Sequence, residues 1–384
     1  MSSKLLVFLS ILFVSCSSFA EEIENVDPLS ELETIAEEIN NKYDLSNKTL
    51  PNIGLVPKST LTRSDVIKYI NRQIKNKMRL NISEDLGNNL SGLDLSNLDF
   101  NNADMSNVSM IGSNISWSSF VNADLEDCDL RNVTGLNANF SRSNIAGSIF
   151  DGANLKYARF YETFGNDTSF KKADMEGIII DNADFEESNF SQANLDNAKL
   201  NNSRFDNSDF SKSSGKNVEF YKSKLSYTDL SNLDWSSSSL NSVEGSNSNF
   251  SNSNFAHGNF FAAKLNKSDF TNTKMIGVYA EAVDLSASSL NNADLSGSIM
   301  NGASFKNSVL KNSNLSRCIL SHIDINGADM SNSKLDSAIM KNVMMINTKL
   351  DGMIASKLFL QLDKIQNSDL SKANVESSVI TLKE

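Results

Sequence analysis

A large apolar residue recurs at every fifth position over most of the chain. Steps of five residues from Leu90 to Ile380 give 59 positions without an insertion, and 53 of them are large and apolar. The hydrophobic content of 40% would place about 24 such residues there by chance. We call these positions the centres. The exceptions are small residues: Gly135, Gly165, Gly215, Gly245, Ala280 and Ala355.

A second restricted position lies two residues before each centre. It is mostly Ala or Ser, as at Ala123, Ser203 and Ala293, which indicates that it also faces inward. The other three positions of each unit carry mainly Asp, Asn, Ser, Lys or Glu, as a solvated face does. A coiled coil needs spacings of three and four, and an amphipathic strand needs longer alternation. The period therefore predicts a short extended piece and a corner in every unit.

Six units read A-D-M-S-N, A-D-L-E-D, A-N-L-K-Y, A-D-F-E-E, A-N-L-D-N and A-D-L-S-G, and begin at Ala103, Ala123, Ala153, Ala183, Ala193 and Ala293. They resemble pentapeptide repeats of the form A-(D/N)-L-x-x, and the resemblance covers about three quarters of the chain. It implies an all-β solenoid, a right-handed quadrilateral β-helix with four pentapeptides in each coil. Gly135 and Gly215 agree with four units per coil because they lie 80 residues apart, a multiple of 20 but not of 15.

The first twenty residues have the order of a secretory signal. Lys4 precedes an apolar stretch over residues 5–14, and a small-residue exit at 18–20 precedes Glu21. We therefore expect cleavage after Ala20 and a periplasmic or secreted protein. Residues 13–16, Phe-Val-Ser-Cys, loosely resemble a lipobox, so a lipid anchor at Cys16 in the cell envelope is the alternative. No later segment approaches about 18 uninterrupted apolar residues, and we expect no transmembrane span.

Residues 21–85 lack the five-residue phase and show two helical patterns. Asp27 and Pro28 can begin a helix with one apolar face. Ser64 can cap a second helix, which we expect to cover the unpaired edge of the first coil; binding of its basic residues to a membrane surface is the alternative. The predicted domains are a signal at 1–20, a helical segment and cap at 21–85, and the repeat at 86–384. The predicted apolar faces are Leu29, Leu32, Ile35, Ile39 and Tyr43 in the first helix, and Ile67, Ile70, Ile74 and Met78 in the second.

Three unusual residues fall at the small inward position. Cys128 and Cys318 lie 190 residues apart, nine and a half predicted coils. At ~4.8 Å per coil they are roughly 45 Å apart, far beyond the ~7 Å limit for a disulfide, so we expect two buried single thiols. Asp363 lies within an unusually apolar run over residues 353–365, and we expect irregular coils there.

The residues that carry chemistry are sparse. The histidines, His257 and His322, stand outside the inward positions without Cys or His neighbours at ligand spacing. Nucleotide-binding and hydrolase motifs are missing from the sequence, and the carboxylates recur at the solvated repeat positions. We therefore expect no enzyme, no metal and no cofactor.

The net charge and the surface aromatic residues limit which classes of partner are expected. A net charge of −12 leaves no excess of cations to neutralise phosphates, so we expect no direct nucleic-acid binding. Tyr161, Tyr221 and Phe261 each follow a centre and differ by 60 and 40 residues, so 20-residue coils would stack them in one column. Such a column is a candidate interaction surface, although large aromatics can also simply cover corners.

Three functions follow as hypotheses. The favoured one is an exported, non-enzymatic scaffold whose partner is a protein, with a glycan as a variant. The resemblance suggests a second, because some cytoplasmic members of the family imitate the shape and charge of duplex DNA and act on DNA gyrase. The third is an effector delivered to a host cell. The sequence identifies neither the partner nor the oligomeric state.

Overall fold

The repeat winds into parallel coils of 20 residues. The computed structural model describes residues 60–382. Bridged residues of the repeat pair in parallel with the residue 20 positions further on, from Asn89 with Ser109 to Ile354 with Asn374. Twenty residues are four five-residue units, so each coil has four sides. The four-sided β-helix predicted from the sequence is confirmed.

We number the four sides in chain order by their centres, which recur every 20 residues. Side 1 runs from Leu90 to Leu370, side 2 from Leu95 to Val375, side 3 from Phe100 to Ile380 and side 4 from Met105 to Ile365. The centres are buried from Leu90 to Leu360 and form one continuous core. Phenylalanine rings stack in this core, and the centroids of Phe190 and Phe210 on side 1 lie 4.6 Å apart.

The longest runs of backbone pairing begin on side 3. They form two parallel sheets, β1-β2-β3 and β4-β5-β6-β7. Outward residues there are often β-branched or aromatic, which favours extended backbone. The elements are helices α1 (Arg63–Asn76) and α2 (Ile82–Asp85), strands β1 (Arg159–Tyr161), β2 (Ile179–Asp181), β3 (Lys199–Asn201), β4 (Ile319–Ser321), β5 (Ile339–Ile346), β6 (Phe359–Gln366) and β7 (Val379–Leu382), and a 3-10 helix (Leu370–Lys372).

The small inward position also carries hydrogen bonds. The Ser208 hydroxyl donates to the Phe185 carbonyl oxygen at 2.9 Å and accepts from the Ser188 N–H at 3.1 Å. On side 1, every hydroxyl from Ser148 to Ser288 donates to the carbonyl oxygen 23 residues earlier. Serine is therefore favoured here because it is small and because it ties successive coils together.

The corners depend on left-handed backbone. The second residue after each centre has a positive φ through almost the whole repeat, as at Asn97 (58°) and Gly92 (71°). Asn and Gly tolerate this conformation best, and β-branched residues do not occupy it here. From the sequence, the abundant Asn is explained by a solvated face alone. Part of this abundance has a conformational cause.

Helix α1 differs from its predicted form. Its N-cap is Thr62, not Ser64, because Thr62 and Asp65 form a reciprocal capping box. Its predicted apolar face is wrong at Ile74 and Met78, which are more than 60% exposed. The buried face contains Val66, Tyr69, Ile70 and Gln73.

Hydrogen bonds to Asp85 explain why the polar groups of Tyr69 and Gln73 lie on the buried face of α1. The Tyr69 hydroxyl donates to Asp85 Oδ2 at 2.7 Å, and Gln73 Nε2 donates to the same atom at 3.0 Å. The apolar residues of α1 belong to the same core as the centres, and Arg63 donates to the carbonyl oxygens of Asp94 and Ser96 at 2.7 Å each. Helix α1 therefore packs on the first coil.

The coils near the C-terminus are irregular, as predicted. Pairing between β5 and β6 changes register on both sides of Val343, which faces Leu362. Leu362 is buried at 1% exposure, and Asp363 is exposed. The shift by one residue turns the carboxylate outward.

The predicted signal, the first helix and Cys16 lie outside the described residues, and the domain boundaries stay predictions. Within residues 60–382, no helix is both long and apolar enough to cross a membrane.

Candidate interaction surface

Exposed apolar residues are concentrated on side 3. Of the nineteen large apolar residues exposed in the repeat, eleven lie there and eight are spread over the other three sides. Nine of them occupy the position directly before or directly after a centre, where side chains point outward; the other two, Ile380 and Leu382, belong to the last coil. The eleven are Tyr161, Ile179, Tyr221, Phe261, Tyr279, Ile299, Ile319, Ile339, Val379, Ile380 and Leu382.

The three aromatic residues singled out in the sequence stand on this side. Tyr161, Tyr221 and Phe261 are 38%, 42% and 39% exposed. They fall in one column, directly after a centre, but polar residues such as Asn201 and Asn241 occupy the coils between them. The Lys222 ammonium lies 5.0 Å from the Tyr221 ring centroid. The column is therefore an interrupted series rather than a continuous aromatic strip.

A continuous strip lies beside it and was missed in the sequence. Residues directly before the side 3 centres are apolar on six successive coils, and pair in register with one another. We call this strip the apolar ladder. At its N-terminal end the ladder contacts the aromatic column, where the rings of Phe261 and Tyr279 stack with centroids 6.1 Å apart. The ladder consists of Tyr279, Ile299, Ile319, Ile339, Phe359 and Val379.

Side 3 is also electrically balanced. It carries five acidic and five basic residues, although the whole chain has a net charge of −12. Side 4 holds much of the imbalance: from Asp104 to Asp206 it has nine carboxylates and one cation, Arg204. The charged residues of side 3 are Asp99, Glu162, Asp181, Glu219, Glu281, Arg142, Arg159, Lys199, Lys222 and Lys341.

A shallow groove at the corner of sides 3 and 4 contains paired charges. Arg142 Nε lies 2.7 Å from Glu162 Oε2, and Arg204 bonds to Asp184 at 3.1 Å and to Glu186. The Arg142 guanidinium holds the pKa of Glu162 below its ordinary value. Such a carboxylate stays ionised at neutral pH and is a poor general acid.

The remaining chemical groups are dispersed. His257 and His322 occupy left-handed corner positions, with φ of 61° and 60°. Among the described residues, no three side chains of His, Cys, Asp or Glu come together as metal ligands would. Cys128 and Cys318 are buried free thiols, as predicted.

Two family models match the coils that build these sides. A model described as a pentapeptide repeat region matches residues 89–160, and one for pentapeptide repeats in eight copies matches 148–186, 178–214, 188–226, 288–327 and 313–352. Together they cover more than half of the chain. The chain belongs to the pentapeptide-repeat family. In this pentapeptide-repeat protein, Phe261 and Tyr279 lie between the matched ranges.

Solved structures with a similar chain trace include other pentapeptide-repeat proteins. HetL, involved in heterocyst differentiation regulation in the cyanobacterium Nostoc, is 17% identical over 83% of this chain and 97% of its own, with a TM-score of 0.23. QnrB1, a plasmid-mediated fluoroquinolone resistance protein, is 16% identical over 53% and 85%, with a TM-score of 0.27. The Streptococcus pneumoniae surface protein and adhesin PfbA is 10% identical over 86% and 98%, with a TM-score of 0.30. No curated protein sequence matches significantly.

Proposed function

We propose that this pentapeptide-repeat protein is an exported, non-enzymatic scaffold that binds a protein partner through side 3. The observation that carries the proposal is the concentration of exposed apolar residues on one electrically balanced side. Interface cores are depleted in charged residues and enriched in aromatic residues. A flat, rigid side that combines both properties suits a protein surface.

The composition of side 3 favours a protein over a glycan. Sugars lie on the open faces of aromatic rings, and the aromatic column is interrupted by polar residues, with Phe261 stacked on Tyr279 and Lys222 over Tyr221. The other members of the apolar ladder, from Ile299 to Val379, are mainly aliphatic. Side 3 thus offers apolar edges and methyl groups, which pack against protein side chains.

Photo-crosslinking in the native host tests the surface. A photoreactive residue at Tyr221 should give a discrete crosslinked species, because that position points outward on side 3. The control is the same residue at Lys171, an exposed position directly after a side 1 centre. Equal crosslinking from both positions would contradict a partner on side 3, and no crosslink from Tyr221 would exclude a partner that covers the aromatic column.

The secretory pattern of residues 1–20 supports export. Subcellular fractionation with intact-mass analysis tests it. We expect a chain beginning at Glu21 outside the cytoplasm, and a lipidated chain beginning at Cys16 would assign it to the envelope. A cytoplasmic chain that still begins at Met1 would overturn the export part of the proposal.

The acidic half of side 4 favours one second candidate, a rod that imitates duplex DNA and modulates DNA gyrase. Nine carboxylates and one cation over six coils give the side a dense negative field. The predicted export opposes this function. A chain lacking residues 1–20 should inhibit or protect gyrase in a supercoiling assay if the candidate holds, and no effect at large molar excess would exclude it.

A further inference from the structure

The apolar ladder of side 3 has the properties of a contact between two copies of this chain. It runs over six successive coils, from Tyr279 to Val379, with backbones paired in register. At ~4.8 Å per coil its length is about 24 Å. Four of its members are between 36% and 40% exposed, and Val379 is 53% exposed. Phe359 is half-buried, with the Lys341 ammonium 5.7 Å from its ring centroid. The strip is thus straight and largely accessible.

We propose that two copies associate side by side and antiparallel, with the apolar ladder of one copy packed on the ladder of the other. This inference deepens the proposed function and rests on it, since it names a partner for side 3. In the antiparallel arrangement the symmetry axis passes between the coils of Ile319 and Ile339. Ile319 of one copy then faces Ile339 of the second, Ile299 faces Phe359, and Tyr279 faces Val379.

Charge selects a second copy as the occupant. Two copies of an acidic chain repel each other, and side 3 is the side where acidic and basic residues balance. Along the ladder, Glu281 and Lys341 are the charged residues of side 3. In the antiparallel arrangement Glu281 faces Thr381 and Lys341 faces Ser321, so like charges do not meet. With one charge of each sign, the strip has no cationic excess to attract an anionic membrane.

The size of the ladder sets the strength of the contact. Three extended residues span about 10 Å, so the strip covers roughly 240 Å² on each copy. Stable interfaces bury about 800 Å² on each partner, and smaller ones are typical of transient contacts. We therefore expect weak, reversible association that appears only at high protein concentration, not a permanent dimer.

Sedimentation velocity on the protein as its host processes it tests the association. The weight-average mass should rise from one copy towards two as the protein concentration is raised. A charge exchange localises the contact: Ile319→Lys with Ile339→Lys, and Ile319→Glu with Ile339→Glu, should each remain monomeric, whereas their mixture should associate at least tenfold more tightly than either alone. The matched control is Ile354→Lys, at the same repeat position on side 2 and 41% exposed, which should associate like the unaltered chain.

Cysteine crosslinking then tests the antiparallel order. Ile319→Cys mixed with Ile339→Cys should form a mixed disulfide, while each variant alone should form little, because like positions do not face each other. The native Cys128 and Cys318 are buried and do not interfere. Disulfides within each variant alone would show a parallel contact and overturn the arrangement.

Three results would overturn self-association through the ladder. They are a constant monomer mass at about 1 mM, association that survives the Lys variant, and association abolished instead by Leu382→Lys at the end of the last coil. The photo-crosslink at Tyr221 separates this inference from the proposed function. A foreign partner crosslinked there by a monomeric protein would leave the scaffold function standing and remove the second copy.

Discussion

Phe185 occupies the space in which Gly165, one coil earlier on side 4, has no side chain. A Cβ built on Gly165 would lie 2.4 Å from Cε1 of Phe185. Gly215 on side 2 is crowded in a similar way: such a Cβ would lie 2.5 Å from Val218 Cγ2 and 3.1 Å from the indole Nε1 of Trp235 in the next coil. Glycine at a centre therefore makes room for a large side chain in the next coil.

Gly165→Ala should destabilise the protein by overpacking. Gly165 does not have a positive φ, so the penalty is steric, and we expect the free energy of unfolding to fall by about 1–3 kcal/mol. Urea unfolding followed by circular dichroism measures it. The control is Gly135→Ala, where the nearest atom, Leu155 Cδ2, is 3.0 Å away and a smaller loss is expected. Phe185→Leu should recover part of the Gly165→Ala loss; equal stability of Gly165→Ala and the unaltered chain would refute the steric explanation.

Ser208→Ala should remove one of the side 1 hydroxyl groups that hydrogen-bond successive coils together. Its Oγ serves the Phe185 carbonyl oxygen and the Ser188 N–H inside the core, and the loss should cost about 1–3 kcal/mol. Thermal unfolding measures the change. Ser211→Ala, at a half-buried outward position three residues later on the same side, is the control and should change little. If both variants lose the same stability, the inward hydroxyl groups of side 1 have no special role.

Asn312→Val should destabilise a corner through its backbone. Asn312 is exposed and has a φ of 58°, a conformation that costs about 1–2 kcal/mol for ordinary residues and more for β-branched ones. Asn312→Gly should be neutral within about 0.5 kcal/mol, because glycine adopts positive φ readily. Chemical unfolding of the two variants decides the matter, and a valine variant as stable as the glycine variant would contradict the prediction.

The two buried thiols should resist modification and make stability fall at high pH. Burial raises the pKa of Cys128 and of Cys318 from 9.0 to about 12. In the unfolded chain both thiols lose their protons near pH 9, so between pH 9 and 12 the unfolded state binds fewer protons. The stabilisation is full below pH 9 and is lost as pH rises towards 12, by about 2–3 kcal/mol per thiol at pH 11.

Cys128→Ser with Cys318→Ser provides the comparison, because tyrosines and lysines also titrate in that range. Serine fits the site, since Cys128 Sγ already donates to the Met105 carbonyl oxygen at 2.9 Å. The double variant should lose less stability between pH 9 and 11 than the unaltered chain. In the folded protein at pH 8, a thiol reagent should label neither cysteine until denaturant is added. Rapid labelling of either native thiol would contradict their burial.

Most of the fold followed from the period of the sequence and from its resemblance to pentapeptide repeats, which implied the four sides. A period of five gave the centres, and the spacing of Gly135 and Gly215 agreed with four units per coil. Burial of an apolar residue at each step left no other inward face, so the sequence could place Cys128 and Cys318 correctly. The predicted irregularity at Asp363 was also correct, because a carboxylate cannot occupy a dry inward position unpaired.

Helix α1 shows where the sequence was insufficient. Its pattern offered Ile74 and Met78 as buried, but Tyr69 and Gln73 face the core because Asp85 on α2 receives their hydrogen bonds. The periodicity of one helix does not reveal a polar partner that another element supplies.

For the candidate site too, some features follow from the sequence and others only from the tertiary structure. The sequence alone determined which residues share a column, because every coil has 20 residues, and the same spacing would have revealed the ladder from Tyr279 to Val379. Only the tertiary structure decided how the side chains lie on that column. The ring stack of Phe261 on Tyr279 and the exposed fraction of each rung depend on contacts between neighbouring columns, and a pattern along one chain does not contain those distances.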